Sequence, residues 1–237
     1  MKDSTIDFKG IKFYNYNFYK IFSKINKGGY LVAPAASAIT NIDINKKYYD
    51  SLKKSDVAIL DSGFFCLLLR LFKGKKVTKF SGYLFLKNFL NLNLIKKKNI
   101  LTIDPTSDHS KVNKSYLKSK NFLNIKSYVA PIYNNKNIYD NKLIKLIKKN
   151  KPRYILINIG GGVQELLALY IKKNVNLKIS IFCTGAAIAF LTKKDAPIND
   201  LVDKLYLGWL LRTLYNPRRF FIRTVKSLVL IKQFIKK

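Results

Sequence analysis

The sequence predicts an α/β fold: a Rossmann-like, mostly parallel sheet with flanking helices, followed by a C-terminal helical appendage. Three observations predict it. Short apolar, β-branched runs alternate with segments of helical periodicity along most of the chain. Four runs end at Ala33, Asp61, Gly160 and Thr184, small or polar residues at the strand ends where such sheets bind ligands. Past about Asp195 the strand signals stop.

The elements follow in order. Gly29 to Pro34 reads as a strand, with a small-residue helix from about Ala36. Val57 to Leu60 is a short buried strand ending at Asp61, followed by an apolar helix from Gly63 to Phe72. Phe80-Ser-Gly82 opens a helix to about Leu90. Asn99 to Asp104 is a strand, His109 to Lys120 a polar helix, Ile125 to Ala130 a strand, and Asp140 to Lys149 an amphipathic helix. Tyr154 to Ile159 has the apolar, β-branched character of a covered parallel strand. Val163 to Lys172 reads as helix, and Leu177 to Cys183 as a strand ending at Thr184-Gly185. Residues 1–195 are thus expected to form the core and 196–237 the appendage. There, Ile198 to Tyr215 reads as one helix, Asn216-Pro217 breaks it, and Arg218 to Lys237 reads as another. The last helix places Phe220, Phe221, Val225, Leu228, Val229 and Ile231 on a broad apolar arc, with Arg223, Lys226 and Lys237 opposite. That pattern suits an interfacial helix, and equally a helix docked on its own core.

A chain of 237 residues can bury one sizeable core, and 48% hydrophobic residues argue against disorder. No apolar run reaches the length of a membrane span; Phe64 to Phe72 is too short and contains Arg70. The first nine residues lack a signal-peptide core. Cys66 and Cys183, both in apolar stretches, read as reduced core residues of a cytoplasmic protein. The net charge is +32, from 39 lysines and six arginines against 13 acidic residues. Lys, Asn, Ile, Tyr and Phe share AT-rich codons, so the lysine excess fits codon drift over a solvated surface as well as a functional basic surface. A functional surface would suit an anionic membrane face, a polyphosphate or nucleic acid. No helix-turn-helix, zinc finger or RNP-type motif is present, which argues against specific nucleic-acid binding. Four of the six arginines, Arg212, Arg218, Arg219 and Arg223, lie within twelve residues, just after Trp209. Arginine binds phosphate bidentately, which lysine cannot copy; the alternative is a chance cluster on a solvated helix.

The most informative stretch is Gly160-Gly161-Gly162-Val-Gln164-Glu165, at a strand-to-helix turn. Three residues without Cβ let a bulky polar ligand reach backbone N–H groups at a helix N-terminus, and Gln164 and Glu165 lie in the first turn. A tight βα turn with no ligand has the same pattern. Asp61 precedes Ser62-Gly63 and suits either a general base or a helix cap. No Asp-x-Asp metal motif falls at a strand end, and no Ser/His/Asp set or metal cluster is apparent; His109 reads as a surface residue.

These residues resemble the WecG/TagA/CpsF glycosyltransferases, glycosyltransferase family twenty-six, over roughly residues 29 to 224. Pro34 matches a Thr-Pro-Asn segment, Asp61-Ser-Gly63 an Asp-Gly-x-Gly segment, and Lys79-Phe-Ser-Gly82 an Arg-x-x-Gly segment. Gly160 to Glu165 matches Gly-x-Pro-Lys-Gln-Glu, and Thr184-Gly185 to Phe190 with Ala196-Pro197 matches Gly-Gly-x-Phe and Arg-Ala-Pro. Leu207 to Arg212, Asn216 to Arg219 and Arg223 match Leu-Glu-Trp-x-x-Arg, Pro-x-Arg and a final Arg. The resemblance implies inverting, metal-independent sugar transfer from a nucleoside diphosphate, UDP, to a polyprenyl-diphosphate-linked sugar, feeding bacterial surface polysaccharide. It implies no cofactor, and a peripheral position on the anionic inner face of the cell membrane; an oligomer stays open. It makes Asp61 the base. The donor then falls to Gly160, Gly161, Gly162, Gln164, Glu165, Thr184, Gly185 and Lys79, and the diphosphate to Arg212, Arg219 and Arg223. The chain departs from the pattern at Ala33 and Ala35, where the family has Thr and Asn, at Lys79 for Arg, at Gly162 for Pro and at Gly208 for Glu. The missing polar groups leave a second expectation, an inactive member that binds a nucleotide-sugar.

Overall fold

A computed structural model describes residues 3–133 and 138–235, apart from the Arg219 side chain. Lys237, assigned to the last helix's basic side, lies outside the described residues.

The chain opens with a hairpin, β1 (Ser4–Phe8) and β2 (Ile11–Asn15), and helix α1 (Phe18–Ile25). The core continues as β3 (Gly29–Val32), α2 (Ala36–Ile39), α3 (Lys46–Lys53), β4 (Val57–Ile59), α4 (Gly63–Lys73) and α5 (Gly82–Leu90). Then follow β5 (Ile100–Asp104), α6 (Ser107–Ser119), β6 (Ile125–Val129), α7 (Asn141–Asn150), β7 (Tyr154–Ile157), α8 (Gln164–Asn174), β8 (Ser180–Cys183) and α9 (Ala187–Leu191). Three helices end the chain: α10 (Asp200–Lys204), α11 (Gly208–Tyr215) and α12 (Pro217–Ile235).

The strands form one sheet in the order β1-β2-β4-β3-β8-β7-β5-β6, antiparallel only between β1 and β2. The order reverses at β3: the chain moves outward to β4, then crosses to β5 and β6 and returns through β7 and β8. Such a switch point opens a crevice at the carboxyl ends of the central strands.

Alternation along the strands builds two apolar layers. Val32, Ile103, Ile157 and Cys183 face the layer that holds α3, α4, α7, α8 and α12. Leu31, Ile59, Leu156 and Phe182 face the layer that holds α1, α5 and α9. In the second layer Phe182 meets Phe85 and Phe89 edge-on at 5.0 and 4.8 Å, and Phe89 meets Tyr154 at 4.9 Å. Each such pair contributes about 0.5–1.5 kcal/mol beyond its buried area. This cluster fixes α5 on the sheet and so fixes where its N-terminus points.

Cys66 and Cys183 are free and buried, and burial pushes the Cys66 thiol up to about 12. Two expectations for the C-terminal segment change. The single helix expected over 198–215 is two, α10 and α11, because Tyr206 takes a left-handed φ of 66° between them. Helix α12 turns Phe220, Leu230 and Phe234 inward, with the Phe234 ring 4.8 Å from Phe8, while Phe221, Val225, Leu228 and Val229 stay exposed. The arc read from sequence is therefore split between core and surface.

Candidate active site

Five parallel strands end along one edge of the sheet in the order β4, β3, β8, β7, β5. Asp61, Ala33, Thr184, Asn158 and Asp104 stand at those ends. Ala33, Asp61 and Thr184, singled out in the sequence, thus stand along one edge of the sheet, with Gly160 two residues past Asn158.

Ser62 caps α4, its hydroxyl accepting from the Phe65 amide at 3.2 Å, so Asp61 is not the cap of that helix. The Asp61 carboxylate instead accepts from the Gly82 amide at 2.8 Å. Gly82 is the first residue of α5 and one of the unpaired donors of its N-terminus. A Cβ there would lie 3.2 Å from the Ala33 Cβ and 3.4 Å from the Thr184 Cβ, so glycine lets the helix end sit on β3 and β8. Burial dominates the chemistry of Asp61 and pushes its carboxyl above the ordinary range. The Gly82 N–H and the charge of Lys79 oppose this, Asp203 reinforces it, and Arg212 opposes it. A carboxyl with a raised pKa at a cleft floor is equipped to accept a proton.

Lys79 is engaged by the protein itself. Its ammonium meets the Asp203 carboxylate at 2.5 Å and the Asp203 carbonyl at 2.7 Å, and Ser81 donates to the same carboxylate at 2.9 Å. Tyr206 lies beside them. Its hydroxyl accepts from Arg70 at 3.1 Å and from the Lys79 amide at 3.4 Å. Its ring covers Gly63 so closely that a Cβ there would be 2.4 Å away. Helix α10 and Tyr206 therefore pack over the start of α4 and the segment that leads into α5, the two elements that flank Asp61. Asp203 and Tyr206 escape the sequence reading, since an isolated acid and one tyrosine among 15 carry no local signal.

The glycine turn is open. Among the described residues, a Cβ on Gly160 or Gly162 would meet nothing within 4 Å, and one on Gly161 only the Gln164 side chain at 4.0 Å. Gly162 takes a φ of 94°, a backbone setting that favours glycine. Gln164 and Glu165 stand in the first turn of α8, as expected, and both are buried. Glu165 accepts from the Gly162 amide at 2.7 Å and from the Gln164 Nε2 at 3.0 Å. Gln164 accepts from the Gly185 amide at 2.9 Å, which joins the loops after β7 and β8. Burial pushes the Glu165 carboxyl up, and these donors and the Arg223 charge draw it partly back.

Two of the named arginines meet at one ring. Arg212 lies 4.2 Å and Arg223 5.6 Å from the centre of buried Phe220, and Arg212 pairs with Asp195 at 3.7 Å. The first is felt at Asp61 and the second at Glu165. Arg219 belongs to α12, and its side chain lies outside the described residues. Among the described residues, no group of three or more His, Cys, Asp or Glu is placed to hold a metal.

The model of the Glycosyl transferase WecG/TagA/CpsF family matches residues 6–237. The chain belongs to this family. The match takes in most of the N-terminal hairpin, from Ile6 within β1, and all three C-terminal helices, beyond the span of about 29 to 224 that the motifs cover. No curated protein matches the chain. Membership in a glycosyl transferase family gives the class of reaction, transfer of a glycosyl group. Within that frame Ala35 takes the N-cap of α2 without supplying a side-chain hydrogen bond, and Ala33 packs toward Gly82. No helix among the described residues is long and apolar enough to cross a membrane.

Proposed function

We propose that this family member moves a sugar, with inversion and without a metal, from a UDP-linked donor to a polyprenyl-diphosphate-linked sugar on the inner membrane face. The observation that carries this is the Asp61 carboxyl, raised by burial, at the N-terminus of α5 on the same sheet edge as the open glycine turn.

The donor diphosphate lies against Gly160, Gly161 and Gly162 at the N-terminus of α8, with Gly185 beside it, while Thr184 meets another part of the donor. Asp61 takes the proton of the acceptor hydroxyl. The oxygen attacks the anomeric carbon from the face opposite the diphosphate, whose bond to that carbon breaks, so the configuration inverts. Charge builds on the leaving diphosphate, and Arg212, Arg219 and Arg223 neutralise it. Lys79 acts in this scheme by holding Asp203 and the cover over Asp61. The exposed apolar row of α12 and the net charge of +32 suit an anionic membrane surface.

A second reading is a nucleotide-sugar-binding protein without turnover, favoured by Ala33 and Ala35. The test is acceptor-dependent release of UDP from a panel of UDP-sugars, with a short prenyl-diphosphate-sugar acceptor and a chelator present. Release with an inverted anomeric product supports transfer. Binding of UDP with no release supports the second reading. Failure to bind any uridine nucleotide overturns both.

A further inference from the structure

On the ends of β7 and β8, two buried polar atoms have no hydrogen-bond partner among the described residues: Asn158 Oδ1 and Thr184 Oγ1. Both residues are 8% exposed. They follow the last paired residues of β7 and β8, Ile157 and Cys183, and so stand next to one another on adjacent strands. Neighbouring strands are about 4.8 Å apart, a separation that suits partners for two adjacent groups on one base edge.

The Asn158 amide is held in one orientation. Its Nδ2 donates to Asp104 Oδ1 at 2.7 Å, and Asn113 Nδ2 donates to the same oxygen at 2.6 Å. Thr102 donates to the other carboxylate oxygen at 2.6 Å. Three donors converge on Asp104, which is fully buried, so its oxygens act as acceptors and the Asn158 NH2 must face them. The Asn158 carbonyl then points away from Asp104 as a fixed acceptor. Buried acceptors are nearly always satisfied, so a donor outside the protein chain completes this one. The Thr184 hydroxyl beside it can give a hydrogen bond.

We infer that Asn158 and Thr184 read the imide edge of a pyrimidine in the donor nucleotide, with Asp104 as the positioning residue. This rests on the nucleoside-diphosphate donor proposed above. Uracil offers an N3–H flanked by two carbonyl oxygens. Asn158 Oδ1 takes the N3–H, and the Thr184 hydroxyl donates to a neighbouring carbonyl. Cytosine has a bare N3 lone pair, which would face the Asn158 carbonyl and repel it. The network thus selects uridine over cytidine nucleotides. The diphosphate falls to the glycine turn two residues further on.

The test is calorimetry of the full chain with UDP, CDP and inorganic pyrophosphate, together with thermal melting. The wild type is expected to bind UDP roughly tenfold or more tightly than CDP. Thr184→Val removes a hydroxyl that is unpaired among the described residues, so its melting temperature should hold or rise. Its UDP affinity should fall roughly three- to tenfold and its pyrophosphate affinity should not change. Asn158→Ala should bring the UDP-to-CDP ratio toward one. Asp104→Asn allows the amide to turn over and should narrow the ratio by a gain for CDP. A wild type that binds both nucleotides equally, or variants that keep its ratio, overturns the inference and leaves the donor reading standing. If the wild type binds pyrophosphate but no nucleoside diphosphate, both fail.

Discussion

The Asp61 carboxylate accepts a hydrogen bond from the Gly82 amide at 2.8 Å, which joins the turn after β4 to the first residue of α5 at the floor of the cleft. One interaction thus serves two ends. It satisfies a donor at a helix N-terminus, and it holds the carboxylate in a fixed position at the end of β4, with β3 and β8 between it and the glycine turn after β7.

Asp61→Asn separates the two. The amide oxygen can still accept from Gly82, so the fold should survive, while the proton acceptor is gone. Turnover should drop by roughly 10²–10⁴, the usual loss for a general base. Burial raises the folded-state pKa of Asp61 above its unfolded value. Between those values the folded state binds more protons, so stability falls as pH rises through that window. Asp61→Asn should remove this dependence and hold neutral-pH stability level or raise it. Activity of the wild type should fall as pH drops through the raised carboxyl value. Chemical denaturation across pH and a pH–rate profile check these outcomes, and wild-type turnover by a folded variant would exclude Asp61 as the base.

The glycine triplet offers a contrast between neighbours. Gly161 has room for a side chain and an ordinary backbone, so Gly161→Val should fold normally and lose donor affinity by blocking the approach to the N–H groups. Gly162 has equal room but a φ of 94°. Gly162→Ala should cost about 1–3 kcal/mol of stability from backbone strain. Thermal melting with calorimetry distinguishes them. Unaltered donor binding by Gly161→Val would make the turn purely structural.

The Tyr206 cover predicts a change of sign. At the first position of α4, Gly63→Ala would by propensity favour the helix. With the Tyr206 ring 2.4 Å from the new Cβ, it should instead cost about 1–3 kcal/mol. In a Tyr206→Ala background the clash is gone, and the same substitution should turn neutral or favourable. A double-mutant cycle in urea measures the coupling, and additive effects would show that the ring does not rest on Gly63 in solution.

Legibility followed burial. The six strands named in the sequence all appear, because covered parallel strands are continuous apolar runs that end at small or polar residues. The hairpin escaped notice, although Ile6, Phe8, Ile11 and Phe13 alternate inward around a Lys9-Gly10 turn with positive φ at both residues. That signal was available: a two-residue turn between alternating strands is a hairpin pattern. The break at Tyr206 was not available, since its left-handed backbone accompanies contacts with Gly63, Arg70 and Lys79 from distant parts of the chain. The same holds for the site. Asp61 and the glycines could be placed from strand ends alone. The inward turn of Glu165 and the Lys79–Asp203 pair depend on what the fold brings opposite them.

The two faces of α12 should respond differently to substitution. Leu230 and Phe234 are part of the core, and Phe234 also lies 5.9 Å from Phe65, so Phe234→Ala should cost about 3–5 kcal/mol. Deleting residues 217–237 would expose the same core and confuse membrane binding with unfolding. Ile222, Val225 and Val229 are 71%, 50% and 47% exposed, and replacing all three with serine should leave the melting temperature nearly unchanged. If this face meets the membrane, the triple variant should lose affinity for anionic liposomes in a flotation assay. The affinity that remains should fall with salt, because exposed charges are screened within about 10 Å at 0.1 M. Apolar insertion and surface charge are thereby separated: the substitutions remove the first, and salt weakens the second. Unchanged liposome affinity in the folded triple variant would remove this helix face from any membrane role.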